Sequence, residues 1–391
     1  MNRDRIDCGF VPLVDCAPLV VARELGFAAE EGLDLHLHAQ PSWSAIRDQL
    51  VFGDLDAAHL LSVLPVAMSM GLGAASAKIN ALSVLSVNGD VVGVAPDLAA
   101  RMQDIGIARS TDQATAVGRA LIEAASGSLR IGVPFPFSMH AELLYYWLSA
   151  LGSEAPRDLD VRTVPPPRMA DAIAANEIDA FCVGEPWGSV AVDNGAAEII
   201  LPGSAIWQFA PEKVLAVRQD WAEENHSSAL RLIRAAWRAA RWLSEDDNKM
   251  TVSDLLAQPK YLDRPTEVID RALSGHLVLA QQGRSVRLPG FLEFFDCAAT
   301  FPWRSQAIWM ASRWAARAGV DRAEAVAAAR SCFRTDLYRE AVQSIGVDVP
   351  GASEKVEGAL GVRTEVASAK GEMFLGPDRF FDGRIFDPHA G

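Results

Sequence analysis

The chain has 391 residues, of which half are hydrophobic and 22% are charged, and its formal net charge is −14. This length is enough for two globular lobes that each bury a core. The acidic balance argues against direct nucleic-acid binding or an anionic membrane surface, although a local set of donors can still hold an anion.

The cysteines and the first residues bear on the cellular compartment. The five cysteines lack CxxC spacing, which favours reduced thiols in a cytoplasmic protein. The printed sequence starts without a charged-then-apolar leader, and it contains no apolar run of membrane-spanning length. We therefore expect a cytoplasmic protein that neither spans nor binds a membrane.

In the first part of the chain, strand and helix patterns alternate. Apolar runs and period-two alternation predict strands over 6–14, 33–38, 54–61 and 79–94. Amphipathic spacing predicts helices over 18–31, 45–52 and 65–70, the first interrupted at Gly26 and the second with Ser42 or Ser44 as its N-cap. The last of these strands is interrupted at Asn88-Gly89, where the chain could cross to a second lobe.

The middle of the chain continues the alternation. It predicts helices over 111–125, 139–151 and 168–176, and strands over 129–133, 161–164, 180–183 and 214–217. Alternation at this spacing is typical of parallel β-α-β units. Beyond Asp220 helices dominate, over 227–243, 268–277, 305–316 and 322–330, and a loop-rich tail follows with Phe380, Phe381 and Phe386 as expected anchors.

These elements predict an α/β fold with two lobes and two crossings, near 87–92 and 211–218. Lobe I is expected to comprise 1–88 and 215–391, including the helical C-terminal region, and lobe II to comprise 89–214.

Two other patterns have competing interpretations. Asp34, His36 and His38 share one strand face and could bind a metal, but a solvated face is the better interpretation. Arg231, Arg234, Arg238 and Arg241 share one helix face, which could dock a partner or lie beside the acidic run Glu245-Asp-Asp247.

Polar residues concentrate at turns that follow strands between 130 and 218. Most of these turns are rich in Gly or Pro and open onto a helix, and together they offer His140, Glu185, Trp187 and Lys213. In α/β proteins the carboxyl ends of strands carry ligand sites. Each residue also has a structural interpretation. Lys213 could form a surface ion pair with Glu212, His140 could be a capped structural histidine, and Glu185 could bond backbone or orient the histidine.

The motifs Phe135-Pro-Phe-Ser-Met-His140, Pro165-Pro-Pro-Arg-Met169, Phe181-Cys-Val-Gly-Glu-Pro-Trp187 and Pro211-Glu-Lys213 resemble those of the NrtA/CmpA-like nitrate- and bicarbonate-binding proteins. The resemblance implies a type II periplasmic-binding-protein fold with an interlobe anion cleft. It is strongest to the cytoplasmic NasS-like branch, whose members sense nitrate and nitrite and hold an RNA-binding antiterminator (NasT-like) until the anion arrives. Regulation of nitrate assimilation, without a cofactor, is thus the expected function.

The resemblance also implies the site residues. Trp43, His140 and Lys213 are expected in the anion pocket, with Gly184, Glu185, Pro186 and Trp187 lining it. Where the family has an amide side chain after the first crossing, this chain has Asp90, whose carboxylate would repel an anion unless it points away or pairs with Lys213.

Two rival classes remain. In the first, the chain is the substrate-binding subunit of a nitrate/nitrite or bicarbonate ABC transporter, which differs by export and partner. In the second, it is an enzyme with Cys182 and His140 as nucleophile and base. Cys182 lies within an apolar strand, which favours an inert thiol, and no GxSxG motif, Walker loop or metal-ligand cluster is present in the sequence. The sequence therefore predicts a binding protein that is not an enzyme and holds no metal.

Overall fold

The computed structural model describes residues 3–72, 77–106, 110–125 and 127–390. The described part of the chain up to Asn88 forms β1 (Asp4–Phe10), α1 (Ala17–Glu24), α2 (Phe27–Glu30), β2 (Leu33–Ala39), α3 (Trp43–Phe52), β3 (Ala57–Leu61), α4 (Val63–Ser69) and β4 (Ile79–Asn88). The helix predicted over 18–31 is divided at the expected interruption, because Gly26 adopts a left-handed conformation with φ of 81° between α1 and α2. Ser42 is the N-cap of α3, since its side chain accepts a hydrogen bond from the Ala45 amide.

The chain from Asp90 to Pro202 carries the elements of the other lobe. These are β5 (Asp90–Val94), α5 (Pro96–Asp104), α6 (Ala114–Ala124), β6 (Leu129–Val133), α7 (Met139–Ala150), β7 (Leu159–Thr163), α8 (Met169–Ala174), β8 (Ala180–Gly184), α9 (Trp187–Asp193) and β9 (Glu198–Pro202). The predicted strand over 129–133 and helix over 139–151 are confirmed almost to the residue, because apolar runs flanked by Gly and Pro mark both ends.

The remaining chain returns to the first sheet and then forms the C-terminal region. Its elements are β10 (Pro211–Arg218), α10 (Gln219–Glu224), α11 (His226–Leu243), α12 (Lys249–Leu256), α13 (Thr266–Ser274), β11 (His276–Val278), β12 (Ser285–Arg287), β13 (Leu292–Glu293), α14 (Arg304–Ala318), α15 (Arg322–Cys332), α16 (Thr335–Gln343), β14 (Thr364–Val366) and β15 (Met373–Leu375). The helix predicted over 268–277 ends earlier, at Ser274, because Gly275 follows with φ of 69° and β11 begins.

Two sheets organise the lobes. Among the described residues, one sheet has the strand order β13-β4-β10-β3-β1-β2 and the other β7-β6-β8-β5-β9. The predicted parallel pairs occur at β1–β2, β1–β3, β6–β7 and β6–β8. The strands beside the crossings run antiparallel, β10 against β3 and β4, and β5 against β8 and β9. The chain leaves the first sheet at Gly89 and returns between Pro202 and Pro211, which confirms the predicted two-lobe α/β fold.

The C-terminal region contacts both lobes. Helix α11 packs against α1 and α2, and α14 and α15 pack against α4. On the other lobe, the Tyr146 hydroxyl of α7 donates a hydrogen bond to Asp382 at 2.8 Å. The Tyr146 ring also lies against Phe380, which is buried as expected for a tail anchor. The residue boundaries assigned to the lobes stay a prediction.

The arginine face of α11 contacts different acidic residues from those expected. Arg231 pairs with Asp4, and Arg234 and Arg238 pair with Glu31 at 2.6 and 3.1 Å, whereas the run 245–247 lies beyond the helix end. The basic face is therefore largely neutralised within the first lobe. In the described part of the chain, no helix combines the length and apolarity needed to cross a bilayer.

The histidines of β2 are also paired with carboxylates. His36 Nε2 lies 2.8 Å from Asp34, and His38 Nε2 lies 2.7 Å from Asp7, and all these side chains are partly exposed. This arrangement matches a solvated strand face. In residues 3–72, 77–106, 110–125 and 127–390, no three His, Cys, Asp or Glu side chains are grouped to hold a metal ion.

Candidate functional site

Lys213 lies at the centre of a buried polar cluster between the lobes. Its side chain is completely buried, and Nζ lies 2.8 Å from Asp15 Oδ2 and 2.7 Å from Glu212 Oε1. Neighbouring residues of a regular strand point to opposite faces. The pairing of β10 with β4 shifts register on both sides of Lys213, and this irregularity lets Glu212 and Lys213 meet. The surface ion pair considered for these two residues is therefore wrong, because both are buried.

The first lobe contributes Trp43, His59 and Asp15. Asp15 follows the carboxyl end of β1, and its Oδ1 lies 2.9 Å from His59 Nε2 on β3. The Trp43 ring, in the first turn of α3, lies 5.6 Å from the His59 ring and 5.5 Å from Lys213 Nζ, measured to ring centroids. Trp43 Nε1 is buried and makes no hydrogen bond to any described residue. The indole N–H is thus a free donor within the cluster.

The second lobe contributes His140, in the first turn of α7. Ser138 caps this helix by accepting a hydrogen bond from the Ala141 amide at 3.2 Å. His140 Nδ1 lies 3.1 Å from Glu212 Oε1, so the ring contacts the cluster at the Glu212 carboxyl group of β10. Both ring nitrogens are buried, and neither makes a hydrogen bond of regular geometry within the described chain. A Cβ atom at Gly184 would lie 3.6 Å from His140 Nε2, so Gly184 leaves room beside the histidine.

Asp90 is buried next to these groups but does not bond Lys213. Its Oδ2 accepts a hydrogen bond from the Cys182 thiol at 3.2 Å, and its Oδ1 makes none to described residues. In the β5–β8 ladder Asp90 lies opposite Gly184. The ion pair with Lys213 that was considered for Asp90 does not form, because the contacts of Lys213 are to Asp15 and Glu212.

The turn Gly184-Glu-Pro-Trp187 joins the lobes. Trp187 Nε1 donates a hydrogen bond to the Pro12 carbonyl at 2.8 Å, and the Val14 amide donates to the Glu185 carbonyl at 2.9 Å. Pro12 and Val14 belong to the first lobe, so the turn holds the cleft closed. The Glu185 carboxylate accepts hydrogen bonds from the Ser189 amide, which is the backbone bond considered for it. Pro186 is the N-cap residue of α9.

Burial and mutual charge set the protonation of the cluster. Burial would raise the pKa of Asp15, but the charge of Lys213 and the contact with the His59 ring outweigh it and lower that pKa. Burial would lower the pKa of Lys213, but Asp15 and Glu212 raise it. Both groups are therefore ionised near neutral pH.

The other cluster members tend towards their neutral forms. Burial raises the pKa of Glu212 to about 8, against the opposing charge of Lys213, and also raises the pKa of Asp90. Burial lowers the pKa of His59, and it lowers that of His140 well below the usual value, with the Lys213 charge adding to the latter effect.

Sequence reasoning missed Asp15 and His59, and it assigned no ligand role to Glu212. Asp15 follows the end of a predicted strand, which is the same signal that pointed to His140. His59 lies within an apolar strand, where a single histidine carries little information. Glu212 was considered only as the partner of Lys213. Asp15, His59 and Glu212 are all buried, and a sequence does not show whether a single charged residue is buried.

The cluster can surround a small polar ligand. Trp43 Nε1 and His140 Nε2 are buried nitrogen atoms without partners among the described residues, and they come from different lobes. The positively charged Lys213 Nζ lies 5.5 Å from the Trp43 ring centroid and bonds Glu212, which His140 contacts. Cys182 bonds Asp90, and burial raises the pKa of its thiol well above the usual value, so it is a poor nucleophile. Two α/β lobes closed over such a cluster define a two-lobe ligand-binding protein.

Comparison with known proteins narrows this class. The model of the NMT1-like family matches residues 1–257. The nitrate/nitrite-binding protein NrtA of Synechococcus elongatus is 30% identical over 400 residues, covering 98% of this chain and 83% of that protein. The chain belongs to the NMT1-like family and to the NrtA/CmpA-like nitrate- and bicarbonate-binding proteins.

Two further matches describe the extent of the likeness. The nitrate import ATP-binding protein NrtC of Synechocystis is 31% identical over 353 residues, and the match covers 88% of this chain but 51% of that protein. The chain thus spans about half the length of this relative. The crystal structure of the periplasmic nitrate-binding protein NrtA from Synechocystis superposes with a TM-score of 0.83 at 26% identity, covering 99% of this chain and 96% of that one. The type II periplasmic-binding-protein fold is thereby confirmed.

Proposed function

We propose that this chain binds nitrate or nitrite in the closed cleft and acts as a cytoplasmic sensor that controls a NasT-like antiterminator protein. The observation that carries the anion part is the pair of unpartnered buried nitrogens, Trp43 Nε1 and His140 Nε2, in two residues that adjoin the Glu212–Lys213 pair. Unpartnered buried polar groups are costly, and a ligand that accepts hydrogen bonds removes that cost. NrtA relatives named for nitrate and nitrite support this choice of anion.

The ligand would act on the balance between open and closed lobes. Trp43 belongs to the first lobe and His140 to the second, so an anion that contacts both binds the closed form better. A regulator that prefers the open form is then released by linkage. The sensor part of the proposal draws its support from the resemblance to the NasS-like branch, and the anion part from the cluster itself.

Calorimetric titration with nitrate, nitrite and sulfate tests the anion part. We expect nitrate or nitrite to bind at one site and sulfate to bind poorly, because one lysine does not offset two desolvated negative charges. A titration in the presence of the regulator then tests the sensor part. Equal nitrate affinity with and without the regulator would refute control by linkage, while leaving anion binding intact.

A second candidate is the bicarbonate-binding subunit of an ABC transporter. The surplus of carboxyl groups favours it, because bicarbonate carries an O–H that can donate to Asp90 or Glu212, whereas nitrate only accepts. The relative CmpA is named as a bicarbonate-binding protein. Bicarbonate binding in the absence of nitrate and nitrite binding would favour this candidate over the sensor.

A further inference from the structure

The cleft cluster contains more acidic than basic groups. Asp15, Asp90 and Glu212 carry carboxyl groups, Lys213 is the only lysine or arginine bonded to any of them among the described contacts, and all four side chains are buried. If every carboxyl were ionised, the negative charges would exceed the positive by two, and a bound oxyanion would add a third. Such an excess is not sustained away from water unless protons neutralise part of it.

We propose that a singly charged oxyanion enters this cleft together with protons from solvent, held on the Glu212–His140 pair and on Asp90. The inference rests on the proposed anion binding and makes the proton a second ligand of the same site. It removes the apparent conflict between an anion and the carboxyl group of Asp90, because a carboxylic acid donates a hydrogen bond where a carboxylate can only accept.

The Glu212–His140 contact explains where the first proton resides. Glu212 Oε1 lies 3.1 Å from His140 Nδ1. Without an added proton, a neutral imidazole protonated on Nδ1 presents a lone pair at Nε2. One added proton yields either a carboxylic acid that donates to Nδ1, or an imidazolium beside a carboxylate. In both forms Nε2 carries hydrogen, so this buried, unpartnered atom becomes a donor for the anion.

Asp90 holds the second proton. Its Oδ2 accepts the Cys182 thiol, and its buried Oδ1 has no partner among described residues. Asp90, Cys182 and Gly184 share one face of the sheet, because Asp90 lies opposite Gly184 and Cys182 is two residues before it. Gly184 in turn adjoins His140 Nε2. A proton on Oδ1 would therefore add a donor on the face that the histidine occupies.

The neighbouring groups favour these proton positions. Asp15 and Lys213 remain ionised and cancel, and burial keeps His59 neutral by lowering its pKa. Burial also raises the pKa of Glu185, to about 7 despite the hydrogen bonds from the Ser189 amide, but its carboxyl group bonds within the second lobe and so belongs to the turn itself. The protons therefore reside on Glu212 with His140, and on Asp90.

The direction of the pH effect follows. Burial in the closed form raises the pKa of Glu212 from its usual 4.5 to about 8, and it also raises that of Asp90. Between pH 4.5 and about pH 8, the two pKa values of Glu212, the closed form therefore binds more protons than an open, solvated form. Anion affinity is then highest at low pH and falls as pH rises towards 8, by about tenfold per pH unit for each proton taken up.

Calorimetry of the full chain with nitrate, in cacodylate and in imidazole buffers of different ionisation enthalpy, counts the protons. We expect uptake of one or two protons between about pH 6 and 7. Asp90→Asn replaces the acid with an amide donor of the same shape. We expect it to reduce both the proton uptake and the pH dependence, so that near pH 8 the variant binds nitrate more tightly than the unmodified chain.

Glu357→Gln is the matched control, because Glu357 is a buried, lysine-paired carboxyl outside the cleft. It should leave proton uptake unchanged. Nitrate binding without proton uptake, or weaker binding in Asp90→Asn at every pH, would overturn the inference and leave the proposed function standing. The absence of binding heat for nitrate and nitrite down to about pH 5.5 would instead remove the proposed function, and this inference with it.

Discussion

Two lysines in this chain each hold a pair of buried carboxyl groups, the fully buried Lys213 in the cleft and the partly buried Lys355 in the C-terminal region. Lys213 contacts Asp15 and Glu212, and Lys355 contacts Glu357, at 2.5 Å, and Asp378. Each ammonium also lies near a tryptophan ring, 5.5 Å from the centroid of Trp43 and 5.9 Å from that of Trp303. The two clusters therefore contain the same kinds of groups.

They differ in how their carboxyl oxygens are used. Glu357 accepts from Ser305 and Lys355, and Asp378 accepts from the Leu360 amide and Lys355, so each oxygen of these two groups has a donor. In the cleft, Glu212 Oε2, Asp90 Oδ1 and His140 Nε2 have no hydrogen-bond partner in the described chain. A buried ion pair alone therefore does not identify a binding site, and the unsatisfied groups around it are the informative feature.

Replacing the lysines should have the largest effects. We expect Lys213→Met and Lys355→Met each to lower the free energy of unfolding by about 3–5 kcal/mol, because each leaves buried carboxylates without a cation. Chemical denaturation measures this loss. The comparison predicts that nitrate raises the melting temperature of Lys355→Met but not that of Lys213→Met. Equal nitrate protection of both variants would show that the two clusters do not differ in the way described.

His140→Ala should separate binding from stability. We expect it to weaken nitrate binding by about 1.5–3 kcal/mol, the range for a charge-assisted hydrogen bond, as measured by calorimetry. Ser305→Ala is its counterpart in the C-terminal cluster, because Ser305 donates to Glu357. That variant should lose about 1–3 kcal/mol of stability and keep nitrate affinity. Wild-type affinity in His140→Ala would mean that the anion lies elsewhere.

Trp43→Phe should have the smallest effect on affinity, because it keeps an aromatic ring near Lys213 while it removes the indole N–H and part of the ring volume. We expect nitrate affinity to fall by about 0.5–1.5 kcal/mol, the net contribution of one neutral hydrogen bond. Trp303→Phe provides the control, since Trp303 Nε1 is also buried without a partner among described residues. Titration should give unchanged nitrate affinity for Trp303→Phe, and an equal loss in both variants would point to an indirect effect.

Much of the fold was predictable because local signals agree with the tertiary structure. The strand at 129–133 and the helix that begins at Met139 are marked by apolar runs, Gly-Pro turns and a Ser cap. The break between α1 and α2 was also predictable, because Gly26 interrupts the amphipathic pattern and adopts a left-handed conformation that glycine permits. The antiparallel pairing beside the crossings depends on contacts between distant segments, which periodicity does not report.

The candidate site was predictable only in part, for a physical reason. His140 and Lys213 lie at turns after strands, where sequence patterns direct attention. Asp15 and His59 were missed because their significance comes from long-range contacts with Lys213 and with each other. Asp90 was recognised as a departure from the amide side chain that the family has at this position, but its contact with the Cys182 thiol depends on strand register.

Hydrogen exchange with and without saturating nitrate would test the difference between the clusters most directly. We expect slower exchange in β10 and in the first turn of α7, where Lys213 and His140 lie, and unchanged exchange around Glu357 and Asp378. Protection confined to the C-terminal region, or none in β10 and α7 when calorimetry reports saturation, would contradict the assignment of the cleft as the anion site.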